Sequence, residues 1–124
     1  MGKRQLFTVV PLIGTTAANG TATVVAPFAV NGMLYAIHED KGSLDDGVDF
    51  TLSIVRSEMV QTVLTLANAN TDNTIWAPRI DSVSQAGAAL SQNNIPIPVV
   101  GVFSLAIAQG GNVKRGGLYA FVIE

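Results

Sequence analysis

Residues 48–55 read VDFTLSIV, and the reading of this octapeptide decides the fold class. Val48, Phe50, Leu52 and Ile54 are apolar, and the residues between them, Asp49, Thr51 and Ser53, are polar. Side chains alternate across a strand with a period of two, so the first set lines one face and the second the other. A helix would scatter the same apolar residues around its circumference. The stretch therefore predicts a half-buried β-strand.

The same period continues on both sides of it. MLYAIHE (33–39) places Met33, Tyr35 and Ile37 on one face. VQTVLTLAN (60–68) places Val60, Thr62, Leu64 and Leu66 together, with Val63 among the polar residues opposite. VFSLAIA (102–108) aligns Phe103, Leu105 and Ile107. LYAFVIE (118–124) is apolar on both faces, Tyr119, Phe121 and Ile123 against Leu118, Ala120 and Val122. That pattern belongs to a central strand or one covered by a partner. Residues 5–12, 21–28, 74–78 and 95–100 are further candidate strands. Pro96 and Pro98 cannot donate to a ladder, which predicts an edge or a connection for the last of these.

Turn chemistry separates the runs: AANG (17–20), Asn31–Gly32, DKGSLDDG (40–47), NANTDN (68–73) and GGNVKRGG (110–117). Residues 82–94, SVSQAGAALSQNN, are weakly helical or irregular. About eight or nine short strands with turns every ten or so residues predict an all-β fold. We expect a single antiparallel β-sandwich, jelly-roll-like, with little or no helix; strand order stays open. At 124 residues the chain reads as one domain over 1–124, with residues 1–5 as a candidate N-terminal arm.

Composition narrows the function. Only 13% of residues are charged and the net charge is −2, so no basic excess exists to neutralise phosphates. Nucleic acid is not an expected partner. Hydrophobic residues make up 48%, and a surface so poor in charge suits burial against a partner. No apolar stretch approaches the length of a membrane span, and no membrane is expected. The chain has no cysteine, which removes disulfides and thiolate chemistry. Its first twenty residues mimic a secretory signal, but the apolar run from Leu6 to Ile13 is short and contains Pro11.

The candidate chemistry reduces to structural residues. A Walker loop sets its lysine after the second glycine and before a helix. In QGGNVKRGG (109–117) Lys114 precedes that glycine and a strand pattern follows. The stretch predicts a hairpin between the last two strands, with Lys114 and Arg115 at a solvent-facing tip. His38, the single histidine, would need a carboxylate and a nucleophile to act as a base. No serine lies in a G-x-S-x-G context, so His38 is expected at a strand end facing solvent. One histidine without cysteine gives no zinc site. Glu39, Asp40, Asp45, Asp46 and Asp49 cluster in one stretch without EF-hand spacing, which leaves calcium binding open. Trp76, the lone tryptophan, and Arg79 are either an exposed anchor or the end of a core strand. No catalytic residue, cofactor or metal ligand is assigned, and no enzyme is expected. Lys3, Arg4, Trp76, Arg79, Lys114 and Arg115 are the candidate partner contacts.

The ordered run NGMLYAIHEDKG, GVDFTLSI, VLTLANANTDNTIWAPR, AGAAL and AIAQGGNVKRGGLYAFVIE resembles the small head decoration, or cement, proteins of tailed bacteriophages. The likeness covers roughly residues 30–124. It implies a β-sandwich that binds the major capsid protein on the outer capsid surface, often as a homotrimer. It also implies manufacture in the host cytoplasm and residence in the virion. It transfers no functional residue. The alternative reading is a carbohydrate- or receptor-binding β-sandwich module of a phage fibre or adhesin.

Overall fold

The computed structural model describes residues 7–69, 74–80 and 95–124. These form nine strands: β1 (Phe7–Thr15), β2 (Ala22–Val25), β3 (Val30–Asp40), β4 (Val48–Arg56), β5 (Met59–Ala69), β6 (Ile75–Trp76), β7 (Arg79–Ile80), β8 (Ile95–Ala108) and β9 (Arg115–Ile123). No helix occurs among the described residues. The all-β expectation holds. Several strands are longer than expected, with β8 reaching 14 residues. The weakly helical stretch, 82–94, lies outside the described residues.

The strands form one curled antiparallel sheet in the order β1-β9-β3-β8-β4-β5, with β2 and β7 added to β8 and β6 added to β3. Only β4 and β5 are both consecutive in sequence and paired along that path. β9 sits between β1 and β3, the central position that its two apolar faces call for. β8 is the spine. Its first half pairs with β3 from Ile97 opposite Leu34 to Gly101 opposite Val30. Its second half pairs with β4 from Val102 opposite Val55 to Ala108 opposite Asp49, and with β2 on its other side. The strand changes partners at Gly101. There φ is +135°, and a Cβ would run into the Val55 carbonyl, so a residue without a side chain is required. The prolines fit this arrangement: the β4 and β2 ladders begin only after residue 101, leaving one side of Pro96–Val100 without their donors.

The inner faces meet in one core. Val48, Phe50, Leu52 and Ile54 of β4 are buried, as VDFTLSIV predicts. Phe103, Leu105 and Ile107 join them, with Leu118, Ala120 and Val122 from β9 and Val10 and Leu12 from β1. Leu44, from the loop between β3 and β4, is also buried.

Four expectations need correction. A bulge between Leu34 and Ala36 shifts the register of β3. Met33 and Tyr35 therefore face outward, while Ile37 falls on the buried side with Leu34. β5 carries register shifts against Val48–Phe50 and Leu52–Ser53. They turn Val63 into the core and leave Val60 and Thr62 exposed. Asn31–Gly32 is not a turn but lies inside β3, where a Cβ on Gly32 would meet the Ile123 carbonyl. Residues 109–114 do not close a hairpin. β8 and β9 are not paired, because β9 is flanked by β1 and β3 and the end of β8 by β2 and β4.

That connection is held by two other loops. Gly110 donates to the Gly20 carbonyl at 2.9 Å, and Asp45 N–H donates to the Gly110 carbonyl at 3.0 Å. Ser43 N–H donates to the Arg115 carbonyl and Arg115 N–H to the Ser43 hydroxyl, each at 2.9 Å. Thr16, buried beneath, donates from its hydroxyl to the Gly111 carbonyl at 2.7 Å. Each loop satisfies backbone groups of another, so the end of the molecule is a clasp and not a freely projecting tip.

Candidate functional site

The register determines what the outer side of β1-β9-β3 presents. Residues directly opposite one another in a ladder share a face. Val10, Leu12, Leu118, Ala120 and Val122 point inward, so their chain neighbours point outward. Phe7 lies opposite Ile123, and Ile123 opposite Met33. Val9 lies opposite Phe121, and Phe121 opposite Ala36. Pro11, Tyr119, His38 and Ile75 make a third row across β1, β9, β3 and β6. The first row extends to Pro98 of β8. These three rows carry no charge, with His38 counted neutral, but the next row, Ile13–Gly117–Asp40, adds a carboxylate, and Arg79 adds a guanidinium beside Tyr35.

This face is apolar and wet. Phe7 is 49% exposed, Val9 46%, Tyr35 46% and Ile75 68%. Its rings are ordered against one another. Phe7 meets Tyr35 edge-on at 5.4 Å, and His38 stacks on Tyr119 at 6.2 Å. Arg79 closes one rim. Its guanidinium sits 5.5 Å from the Tyr35 ring centre and donates to the Tyr35 and Pro78 carbonyls at 2.9 and 2.8 Å.

Beyond Pro98 the apolar surface reaches a shallow groove of about 180 Å³. Pro98 and Val100 form one wall, and Ile54, Arg56, Met59 and Gln61 of the β4–β5 hairpin the other. A second pocket, about 460 Å³, lies on the inner side, between Thr65–Ala69 of β5 and Glu39 and Trp76. Trp76 pairs with Ile37 and so shares its inward side. Its Nε1 donates to Oε2 of the buried Glu39 at 3.4 Å.

The candidate contacts thus separate. Arg79 borders the outer face, whereas Trp76 turns toward the inner pocket. Arg115 is exposed at the start of β9, and Lys114 is partly buried in the clasp, where its backbone is paired with Thr16. Lys3 and Arg4 lie outside the described residues. The residues that sequence reasoning missed are Phe7 and Val9. The signal was present in FTVVPLIG (7–14), which is apolar at successive positions like LYAFVIE.

The acidic stretch disperses into separate structural tasks. Asp46 pairs with Lys41 at 2.9 Å, Asp49 accepts the Asn68 N–H at 2.8 Å, and Glu39 is buried. Among the described residues no three histidine or acidic side chains converge on a metal-sized site. His38 lies within β3 rather than at its end, partly buried against Tyr119. Glu39, the adjacent carboxylate, points through to the opposite face. No helix among the described residues is long and apolar enough to cross a membrane.

Comparison with known proteins adds no relative: no family model, curated protein or solved structure matches this chain.

Proposed function

We propose that the chain is a structural virion protein that decorates and stabilises the outer surface of a bacteriophage capsid by bridging neighbouring capsid subunits. The observation that carries this reading is the largely apolar, exposed outer face of β1-β9-β3. Such a face costs solubility unless something covers it, and large exposed apolar patches mark protein contact sites. The sequence resemblance supplies the kind of partner, the major capsid protein, and the homotrimeric form. We read the curled sheet, folded at Gly101, as a jelly-roll-like sandwich.

A protein that binds only the assembled lattice stabilises that lattice by mass action. Several linked copies raise the effective concentration of each contact. The test is co-sedimentation of the purified protein with expanded capsids of its phage and with free capsid subunits. We expect binding to the expanded capsids alone and a higher capsid melting temperature. Absence of the protein from the capsid pellet overturns the proposal.

The pocket formed by Trp76 and Glu39 favours a second reading, a glycan- or receptor-binding module. An indole beside a carboxylate is a common way to hold a sugar ring by stacking and hydrogen bonding. A glycan array with a hit abolished by Trp76→Ala would establish it in place of the first.

A further inference from the structure

We infer that Asn19 is a self-modification site, where the side-chain amide is lost to the next backbone nitrogen and asparagine becomes aspartate or isoaspartate. This chemistry does not depend on the role proposed above. The chain contains two Asn–Gly pairs, at 19–20 and 31–32. A glycine has no side chain to shield its nitrogen from the amide before it. The two pairs therefore share one intrinsic reactivity and differ in their surroundings.

At Asn19 the surroundings favour reaction. The residue is exposed in the turn between β1 and β2. Its Oδ1 accepts two hydrogen bonds, from the Thr21 N–H at 3.2 Å and from the Thr21 hydroxyl at 2.8 Å. The first folds the side chain back toward the Gly20 peptide. Together they polarise the amide carbonyl and place donors where negative charge develops once its carbon is attacked. Gly20 has φ +83° and donates its N–H across the same short turn, to the Ala17 carbonyl at 3.0 Å. Asn31 is the contrasting case. Its neighbour Gly32 is held inside β3 opposite Val99, with the Ile123 carbonyl where a Cβ would lie. Attack there requires the chain to bend back on itself against the ladder, which only strand opening permits.

The step needs water alone as co-reactant. A solvent base removes the Gly20 amide proton, and the nitrogen forms a bond to Cγ of Asn19. The bond from Cγ to Nδ2 breaks, that nitrogen takes up a proton and leaves as ammonia, and a cyclic imide remains. Water then adds to one of the two imide carbonyls. One opening restores the ordinary main chain with an aspartate. The other runs the main chain through Cγ, giving an isoaspartate with one added main-chain carbon.

The position matters because Gly20 belongs to the clasp. Its carbonyl accepts the Gly110 N–H at 2.9 Å, and a Cβ placed on it would lie 3.1 Å from the Gly111 nitrogen. An added main-chain carbon displaces that carbonyl. The new carboxylate also joins Asp45, whose own carboxylate lies against Gly111. Isoaspartate at position 19 therefore loosens the link between the β1–β2 turn and the β8–β9 connection.

Peptide mapping by mass spectrometry, on folded protein incubated in mildly alkaline buffer, tests this. Asn19 is expected to deamidate at least about tenfold faster than Asn31, because only the latter waits on strand opening. In the urea-unfolded chain the two sites are expected to react alike. Thr21→Val removes the hydroxyl donor at an exposed site where water partly replaces it, and is expected to slow the loss at Asn19 about threefold to tenfold. Thr21→Ser is expected to retain the wild-type rate. After ageing, the Gly110 amide is expected to exchange faster with solvent. Asn19→Asp adds the charge without the main-chain carbon and is expected to keep that exchange slow. Equal rates at the two sites in folded protein, or an Asn19 that outlasts Asn31, overturn the inference. A Thr21→Val variant that reacts as fast as wild type removes the part assigned to Thr21. An unchanged Gly110 exchange rate in isoaspartate-containing protein removes the effect on the clasp.

Discussion

Thr16 and Lys114, 98 residues apart, hold each other reciprocally: Thr16 N–H donates to the Lys114 carbonyl at 2.8 Å, and Lys114 N–H donates to the Thr16 hydroxyl at 2.9 Å. The same hydroxyl donates to the Gly111 carbonyl at 2.7 Å, and Thr16 is only 3% exposed. One buried side chain thereby ties the end of β1 to the connection between β8 and β9. Thr16→Val keeps the shape but removes partners from the Lys114 N–H and the Gly111 carbonyl. An unsatisfied buried group costs about 1–3 kcal/mol, so Thr16→Val should lower unfolding free energy by about 2–4 kcal/mol in urea. Thr16→Ser retains the hydroxyl and should cost about 1 kcal/mol or less.

This clasp explains what the sequence could and could not reveal. The alternation in VDFTLSIV exposes the β4 core directly, because it needs only local period. The two apolar faces of LYAFVIE likewise announce a central strand. Pairing partners are a different matter. β9 chooses β1 and β3, more than 75 residues away in sequence, and nothing in GGNVKRGG says that its flanking strands part company. Faces are lost wherever a bulge inserts one residue, as at Tyr35, since one extra residue reverses every side chain beyond it. The outer apolar face is partly legible, because β1 and β9 are each apolar on both sides. That they lie side by side is not.

Gly101→Ala probes the point where β8 exchanges β3 for β4. The substituted residue would carry a methyl group into the Val55 carbonyl while holding φ at +135°, a region that residues with a Cβ avoid. Relief requires β8 to separate from β4. We expect a loss of about 3 kcal/mol or more, or failure to fold, read by urea denaturation and amide exchange in β4 and β8. Full stability in Gly101→Ala would refute the close approach of β8 to the Val55 carbonyl.

Val113 carries the opposite signature. It is β-branched, exposed, and held at φ +53° in the clasp. A left-handed conformation costs an L-residue about 1–2 kcal/mol, and branching at Cβ aggravates it. Asparagine tolerates this region better, and little burial is lost with the valine. Val113→Asn should therefore raise stability by about 0.5–1 kcal/mol, seen as a melting temperature about 2–5 °C higher. A drop in melting temperature would show that the side chain has an energetic role its exposure conceals.

Leu44 tests whether a loop residue belongs to the core. It sits between KGS and DDG, a context that reads as pure turn, yet it is 2% exposed, and a Cβ on Gly110 would press against its methyl group. Leu44→Ala should cost about 2–5 kcal/mol, as for a leucine in a strand interior. Substitution of the adjacent, exposed Asp45 by asparagine should stay within about 0.5 kcal/mol by the same denaturation measurement.

Trp76 is exposed enough that its truncation would ordinarily matter little. The indole nevertheless supplies a hydrogen bond to a carboxylate that is 1% exposed. Trp76→Phe keeps an aromatic ring opposite Ile37 and deletes only the Nε1 donor and the outer ring. Taking a donor away from a buried acceptor costs about 1–3 kcal/mol, and at 3.4 Å this bond belongs at the lower end. We therefore expect Trp76→Phe to destabilise the protein by about 1–2 kcal/mol. Glu39→Leu removes the acceptor, and in that background the same substitution should cost appreciably less. The difference is the coupling that a double-mutant cycle reads, about 0.5–1.5 kcal/mol for residues in direct contact. Equal costs in both backgrounds would mean that Trp76 stabilises the inner pocket by ring packing alone.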